Sequence, residues 1–294
     1  MITSNIINEI LGQQYIFSDT FDQLGLSNAT YPNSLTFIDT EKFVDAVNQN
    51  SNVKGCIVTP ELINKVKGKV CIISTDPRFD FYTLQNKFSR DNYITFPSKI
   101  DSTSKISPAA LVSDKNVIIG KNCIIHPNVT ILPDVEIGDN CVIQAGTVIG
   151  SEGFEYKRTS KGVLPVFHDG KVLIKNNVHI GANTCIDKGF SFRMTRIDDD
   201  AKIDNLIHIA HGVHIGKGSF IIAGTVLGGS TTIEDEVWVG INASTAPGIT
   251  LKSRSFISMG AVVTKSVEPG QQVTGYFAVD HKKFLEIFKK QLSL

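Results

Sequence analysis

No lysine or arginine precedes Lys42, so the N-terminus lacks the basic start of a secretory leader. No uninterrupted apolar stretch of about 18 residues offers a membrane span. Net charge is also missing, because 29 basic side chains balance 29 acidic ones over 294 residues. Nothing global therefore draws the chain to nucleic acid or to a charged membrane, and no basic stripe with interleaved aromatics occurs. These absences together lead us to expect a cytoplasmic protein without nucleic-acid or membrane partners. The five cysteines include no C-x-x-C pair, which argues against a zinc ribbon or a redox centre. Cys56 and Cys71 stand in apolar strand-like runs, whereas Cys123, Cys141 and Cys185 stand inside the repeat described next. All five read as reduced packing residues, and no metal is expected.

What the chain does have is a period of six. Aliphatic residues recur at Ile119, Ile125, Ile131, Ile137, Ile143 and Ile149, and again at Ile174, Ile180 and Ile186. From Ile197 to Val263 the pattern holds at every sixth position, with Thr245 its one non-aliphatic member. Four places after each aliphatic residue comes a small or β-branched one, as at Cys123, Val129, Val135, Cys141 and Thr147. Such a period fits neither a helix nor an alternating strand. It predicts a triangular parallel β-helix, with one hexad per side and three per coil, so that residues 18 apart stack. Glycine after the aliphatic residue (IGKN, IGDN, IGAN, IGKG) is expected to ease the corner.

Residues 1 to about 100 lack the period. They alternate helical stretches (5–11, 40–49, 81–88) with strand-like runs (35–38, 55–58, 70–74), which predicts a small α/β domain. We expect this domain over 1–102, with IDSTSKISPAA as its Ser/Pro-rich boundary. The β-helix follows over 103–270 and carries an extruded loop at 151–172, with a shorter irregularity at 188–196. A short C-terminal helical tail over 271–294 is capped by Asp280, with Phe284, Ile287, Phe288 and Leu292 as a packing stripe.

Three histidines crowd DNLIHIAHGVHIG. One hexad spans one side, so His208 and His214 point in different directions and cannot join His211 on one ion. His126, His168, His179 and His281 have no constellation around them. His211 is third in its hexad, at a corner, with Asp204 and Asn205 shortly before it. From spacing alone it reads equally as a satisfied corner histidine or as a base with a pKa near 7.

The run KIDNLIHIAHGVHIG resembles the active-site segment of the UDP-3-O-acylglucosamine N-acyltransferase family of hexapeptide acyltransferases. VIQAGTVIGSEGFEY, VHIGANTCIDKG, TFIDTEKF, CIVTP and DPRFDFYTL resemble further stretches in the same order. The resemblance implies a left-handed parallel β-helix, trimers with sites between prisms, and an N-terminal uridine-binding domain. It implies N-acyl transfer from acyl-CoA or acyl carrier protein to a nucleotide-linked amino sugar, with no permanently bound cofactor. Under it His211 becomes the general base and Asp204 the residue orienting it. Phe37, Phe43, Asn205 and Lys202 become substrate contacts; Gly229, Gly248, Met259, Ala261 and Lys265 become donor contacts. Lys188, Arg193 and Arg196 are further candidates for phosphates.

The sequence departs from that family at particular places. Gly248 stands where a second histidine is usual, Ala261 and Val263 stand where methionines bound a long acyl chain, and Phe43 replaces a tyrosine. These departures favour an enzyme of surface glycan synthesis with a short acyl donor over lipid A N-acylation itself. An O-acyltransferase and a non-catalytic β-helix scaffold are the other readings.

Overall fold

The computed structural model describes residues 1–190, 193–275 and 280–292. These fall into two compact units. One comprises Met1–Phe96 with Glu152–Lys171 and Gly189–Arg193; the other comprises Pro97–Ser151, Val172–Lys188 and Met194–Leu294. The excursion expected as a loop of the β-helix thus packs into the first unit, whereas the shorter irregularity at 188–196 is divided between the two.

The first unit is built on four parallel strands in sequential order, β1 (Gln23–Leu24), β2 (Ser34–Ile38), β3 (Val53–Val58) and β4 (Val70–Ile73). The helices are α1 (Ser4–Leu11), α2 (Val44–Gln49) and α3 (Pro77–Asp91). Helix α3 begins earlier than its apolar stripe suggested. Asp76 caps it by accepting from Phe79 N–H at 2.9 Å, and Pro77 fills the first turn, where its missing N–H costs nothing. Residues 156–165 form an antiparallel hairpin. Asn86 of α3 donates to the Pro165 carbonyl at 2.8 Å and accepts from Phe167 N–H at 2.7 Å. Of the aromatics in this segment Phe167 is half-buried, while Phe154 and Tyr156 are exposed.

The second unit is a three-sided parallel β-helix. Its strands form three sheets of eight, eight and nine, each taking every third hexad. Register is set by the inward residues: Ile131 pairs with Ile149, Ile119 with Ile137, and Ile125 with Ile143. We call the sheet carrying Ile131, Ile209, Leu227, Thr245 and Val263 the first face. The second carries Ile137, Ile215, Ile233 and Leu251, and the third carries Ile203, Ile221, Val239 and Ile257. All of these are buried in one continuous core. Thr245 is accommodated because its hydroxyl accepts from Gly228 N–H at 3.0 Å and meets Thr231 Oγ1 at 3.2 Å.

Four sequence expectations need correction. The segment IDSTSKISPAA is no linker but the first coil, with Ile100 paired to Ile119 and Ile106 to Ile125. The glycine after the aliphatic residue does not turn the corner. A Cβ at Gly181 would lie 2.4 Å from the Asp204 carbonyl carbon, so it is close approach of the next coil that demands glycine there. The left-handed corner position comes later and falls mostly to asparagine, aspartate or glycine, as at Asn122, Asn140, Asn177, Gly224 and Asn242.

The third concerns Cys185. Cys123 and Cys141 do stack in the core, each four places after its isoleucine. Cys185 stands five places after Ile180, where its neighbour Thr184 fills the small inner position. It therefore faces outward and is only half-buried. The fourth concerns α4 (His281–Leu292). Asp280 does accept from Lys282 N–H at 3.0 Å, but Ile287, Phe288 and Leu292 are exposed. The Phe284 side chain lies outside what the structure describes.

Candidate active site

Hexad geometry fixes which outward residues share an edge. The corner after the first face carries His211, Gly229, Pro247 and Lys265, each two places beyond an inward residue. Consecutive coils are tied there by Ser230 N–H to the His211 carbonyl at 2.9 Å and Gly248 N–H to the Gly229 carbonyl at 3.0 Å. The sequence candidates His211, Gly229, Gly248 and Lys265 thus line one edge over four coils. At about 4.8 Å per coil, Lys265 sits roughly 14 Å along that edge from His211.

His211 is half-buried, and its ring lies against Gly229. A Cβ at Gly229 would come within 2.6 Å of His211 Cε1 and 2.7 Å of Nε2. Gly229 does not need a left-handed backbone; it needs to be small. Gly248 differs, with φ +73° and open space where a Cβ would point. Lys265 is exposed.

Asp204 and Asn205 occupy a different edge, the corner after the third face. Asp204 Oδ1 accepts from Asn205 N–H at 2.8 Å and from Asn205 Nδ2 at 2.9 Å, and its Oδ2 accepts from Ala223 N–H at 3.2 Å. Asn205 Oδ1 accepts from Ala182 N–H at 2.7 Å. Within one chain Asp204 is therefore not beside His211, because a hexad separates them and each hexad turns a corner. Asn205, Ala223, Ile241 and Met259 form the column of this second edge, linked by Gly224 N–H to the Asn205 carbonyl and Gly260 N–H to the Ile241 carbonyl. Met259, expected beside the donor, thus shares the edge of Asn205. Ala261 is buried in the core, four places after Ile257, so its side chain cannot meet a donor.

Next to this second edge, Phe220, Trp238 and Phe256 form an aromatic ladder on the third face, with Trp238 and Phe256 stacked 5.9 Å apart. An apolar groove of about 400 Å³ is lined by Ile222, Trp238, Ile241, Phe256 and Met259. The period marks these aromatics only as outward residues, and the groove was not legible from it. Lys202, on the same face, donates to the Asn177 carbonyl at 2.5 Å.

The remaining cations and histidines are partly committed. Lys188 is buried and pairs with Asp134 at 3.1 Å. Arg196 pairs with Asp198 at 2.6 Å, and His214 meets the other oxygen of that carboxylate at 2.7 Å. His208 instead faces Asp187, so these two histidines serve different sides of the prism.

The first unit has its own cleft, about 490 Å³, lined by Phe37, Asp39, Phe43, Arg78, Tyr82 and the hairpin residues Tyr156, Lys157 and Arg158. Phe37 packs on Phe81 and Tyr82 at 4.8 and 5.6 Å, while Phe43 is exposed. Arg78 is held by Asp39 at 2.7 Å. Lys157 pairs with Glu155 and lies 4.7 Å from the Tyr82 ring centre. Phe37 and Phe43 were legible; Arg78, Tyr82 and the hairpin cations were not, because the hairpin reads as an insert into another domain.

The family model "Bacterial transferase hexapeptide (six repeats)" matches residues 116–151, and "Hexapeptide repeat of succinyl-transferase" matches 230–265. Both matched stretches lie within the β-helix. The chain is similar to a UDP-3-O-acylglucosamine N-acyltransferase of Wolinella succinogenes, 37% identical over 153 residues, which are 52% of this chain and 48% of that one. The corresponding protein of Rickettsia massiliae is 56% identical over 98 residues, 33% of this chain and 28% of its own. The chain spans about half, or less, of the curated relatives it matches. A solved UDP-N-acetylglucosamine acyltransferase of Campylobacter jejuni is 18% identical with TM-score 0.45, over 65% of this chain and 82% of that one. No helix among the described residues is long and apolar enough to cross a membrane.

Proposed function

We propose that the chain transfers an acyl group from a thioester donor to the amino group of a nucleotide-linked amino sugar. The observation that carries this is His211 on an open edge, its ring accommodated by Gly229, with Lys265 further along the same column. His211 takes the proton of the sugar amine as the nitrogen attacks the thioester carbonyl carbon. The tetrahedral intermediate collapses by breaking the C–S bond, and the donor leaves as a thiol after taking up a proton. Coenzyme A or acyl carrier protein is the co-substrate, and Lys265 suits its phosphates. The nucleotide belongs in the cleft of the first unit, with Phe37 and Phe43 toward the base and Arg78, Lys157 and Arg158 toward phosphate.

The working form is a homotrimer. Asp204–Asn205 and His211 lie on the same coil at adjacent edges. A three-fold axis parallel to the prism brings such non-equivalent edges of neighbouring copies together at one height, and the ring closes. Asp204 then acts toward the His211 of the next copy. The apolar groove beside Met259 takes the acyl chain. That groove, and the names of the relatives, favour a second reading, lipid A N-acylation itself with a long acyl donor. A scaffold without catalysis has no need of this edge.

The test is a donor panel: acetyl-CoA against hydroxyacyl carrier proteins, each with UDP- and dTDP-amino sugars. Turnover with short acyl-CoA supports surface glycan synthesis, and turnover only with long-chain acyl carrier protein supports the second reading. The absence of turnover with every pair overturns both.

A further inference from the structure

Cys185 and Asp187 flank the inward Ile186, so both point out of the first face. The ladder pairs Cys185 with His208 on the next coil, which brings a thiol, a carboxylate and an imidazole together. Their ligand atoms all lie within 4.8 Å of one another. Asp187 is 6% exposed, and its Oδ1 accepts from Ser151 Oγ at 2.9 Å. Its Oδ2 stands 3.7 Å from His208 Nε2, and Oδ1 stands 3.7 Å from Cys185 Sγ.

The spacing is informative. A nitrogen–oxygen hydrogen bond closes to about 2.7–3.2 Å, and the imidazole stops short of that. Ligands at zinc bond lengths of about 2.0–2.3 Å in a tetrahedron stand roughly 3.3–3.8 Å apart. Oδ2 thus stands near ligand-edge distance from the imidazole and Oδ1 near it from the thiol, while Ser151 fixes the carboxylate's orientation through Oδ1, as metal-site carboxylates require.

We infer that Cys185, Asp187 and His208 form a mononuclear site for a divalent transition metal, of which zinc suits the mixed sulfur, nitrogen and oxygen donors. Thiolate with imidazole selects zinc or cobalt over magnesium or calcium, which favour all-oxygen shells. The thiol releases its proton to solvent as the ion binds. Three protein ligands leave one position open on the half-exposed side of His208, for water or an anionic oxygen. The register sets Ile186 opposite Ile209, two residues before His211. The site does not depend on acyl transfer, and the reading of His211 does not depend on the ion.

The experiment uses the full chain stripped with EDTA and desalted. Zinc is titrated in competition with a chromophoric chelator, and cobalt is added separately. The expected result is one zinc per chain and a thiolate-to-cobalt charge-transfer band in the near ultraviolet. Cys185→Ser and His208→Gln each abolish the stoichiometric binding and the band, with circular dichroism confirming the fold. Ser151→Ala keeps the ligands and weakens binding by roughly 10- to 100-fold, whereas His214→Gln, on another face, leaves it unchanged. Folded wild-type chain that binds no zinc, or binding that persists in Cys185→Ser and His208→Gln, overturns the assignment.

Discussion

The imidazole of His211 rests on the bare backbone of Gly229, with its Cε1 only 2.6 Å from where a Cβ would stand. That contact makes Gly229 a positioning residue for the proposed base. Gly229→Ala has no left-handed backbone to strain, so the added methyl must push the ring aside. A displacement near 1 Å lowers kcat by roughly 10²-fold. KM for the nucleotide sugar stays near wild type, and so does the urea midpoint. Unchanged kcat in a folded Gly229→Ala protein counts against the ring position.

His211→Ala removes the proposed base itself. Turnover falls by roughly 10²–10⁴-fold, the range for loss of a positioned general base. His211 is half-buried at a corner, so stability changes little. A variant that still acylates at the native rate ends the assignment.

The cleft of the first unit gives a separate readout. Stacking a base on an aromatic side chain is worth about 1–3 kcal/mol. Phe43→Ala therefore raises KM for the nucleotide sugar by roughly 5- to 150-fold and leaves kcat within a few-fold. Phe43→Tyr keeps the ring and stays near wild type. An unchanged KM in Phe43→Ala places the base elsewhere.

The prism was legible because its period is set by inward packing, which a sequence shows directly. The inward residues at every sixth position, Ile119 to Ile149 and Ile197 to Val263, were found, and the edge column His211–Gly229–Lys265 follows from the same count. Ala261 was misplaced for want of that count, since the fourth place after Ile257 is a core place. Cys185 was misread for a similar reason: one residue decides between core and surface. The cleft escaped because its hairpin cations, Lys157 and Arg158, come from an excursion far beyond Arg78 in the chain, and long-range packing leaves no local pattern. Asp204 was read by its closeness in sequence to His211, while the prism turns a corner between them.

Leu206 holds a left-handed corner at φ +60°, a conformation that costs a residue with a Cβ about 1–2 kcal/mol. Its side chain is 64% exposed, so packing within the chain does not offset that cost. The other coils use asparagine or glycine at this position of the same edge, as at Asn183, Gly224, Asn242 and Gly260. Leu206→Asn is expected to raise unfolding free energy by about 1 kcal/mol, read as a higher urea midpoint with unchanged slope. If the Asp204–Asn205 edge meets a neighbouring copy, the same variant weakens the trimer in sedimentation. A lower urea midpoint in the isolated chain refutes the strain argument.

Asp198 links acid stability to the second face. Desolvation pushes its carboxyl up, but hydrogen bonds and charge from His214 and Arg196 outweigh this and hold it below the ordinary carboxylate value. A group whose folded pKa is depressed stabilises the fold above its unfolded value, near 3.9. The unfolded chain takes up the proton first on acidification, so the contribution shrinks as pH falls from there through the lower folded value. It is at its full extent at neutral pH. Asp198→Asn therefore lowers stability at pH 7, and its urea midpoint declines less steeply than wild type between about pH 5 and pH 2. Arg196→Met keeps most of the aliphatic stem and gives part of the same change. Parallel wild-type and Asp198→Asn curves over that interval show that the carboxylate is not held low by these partners.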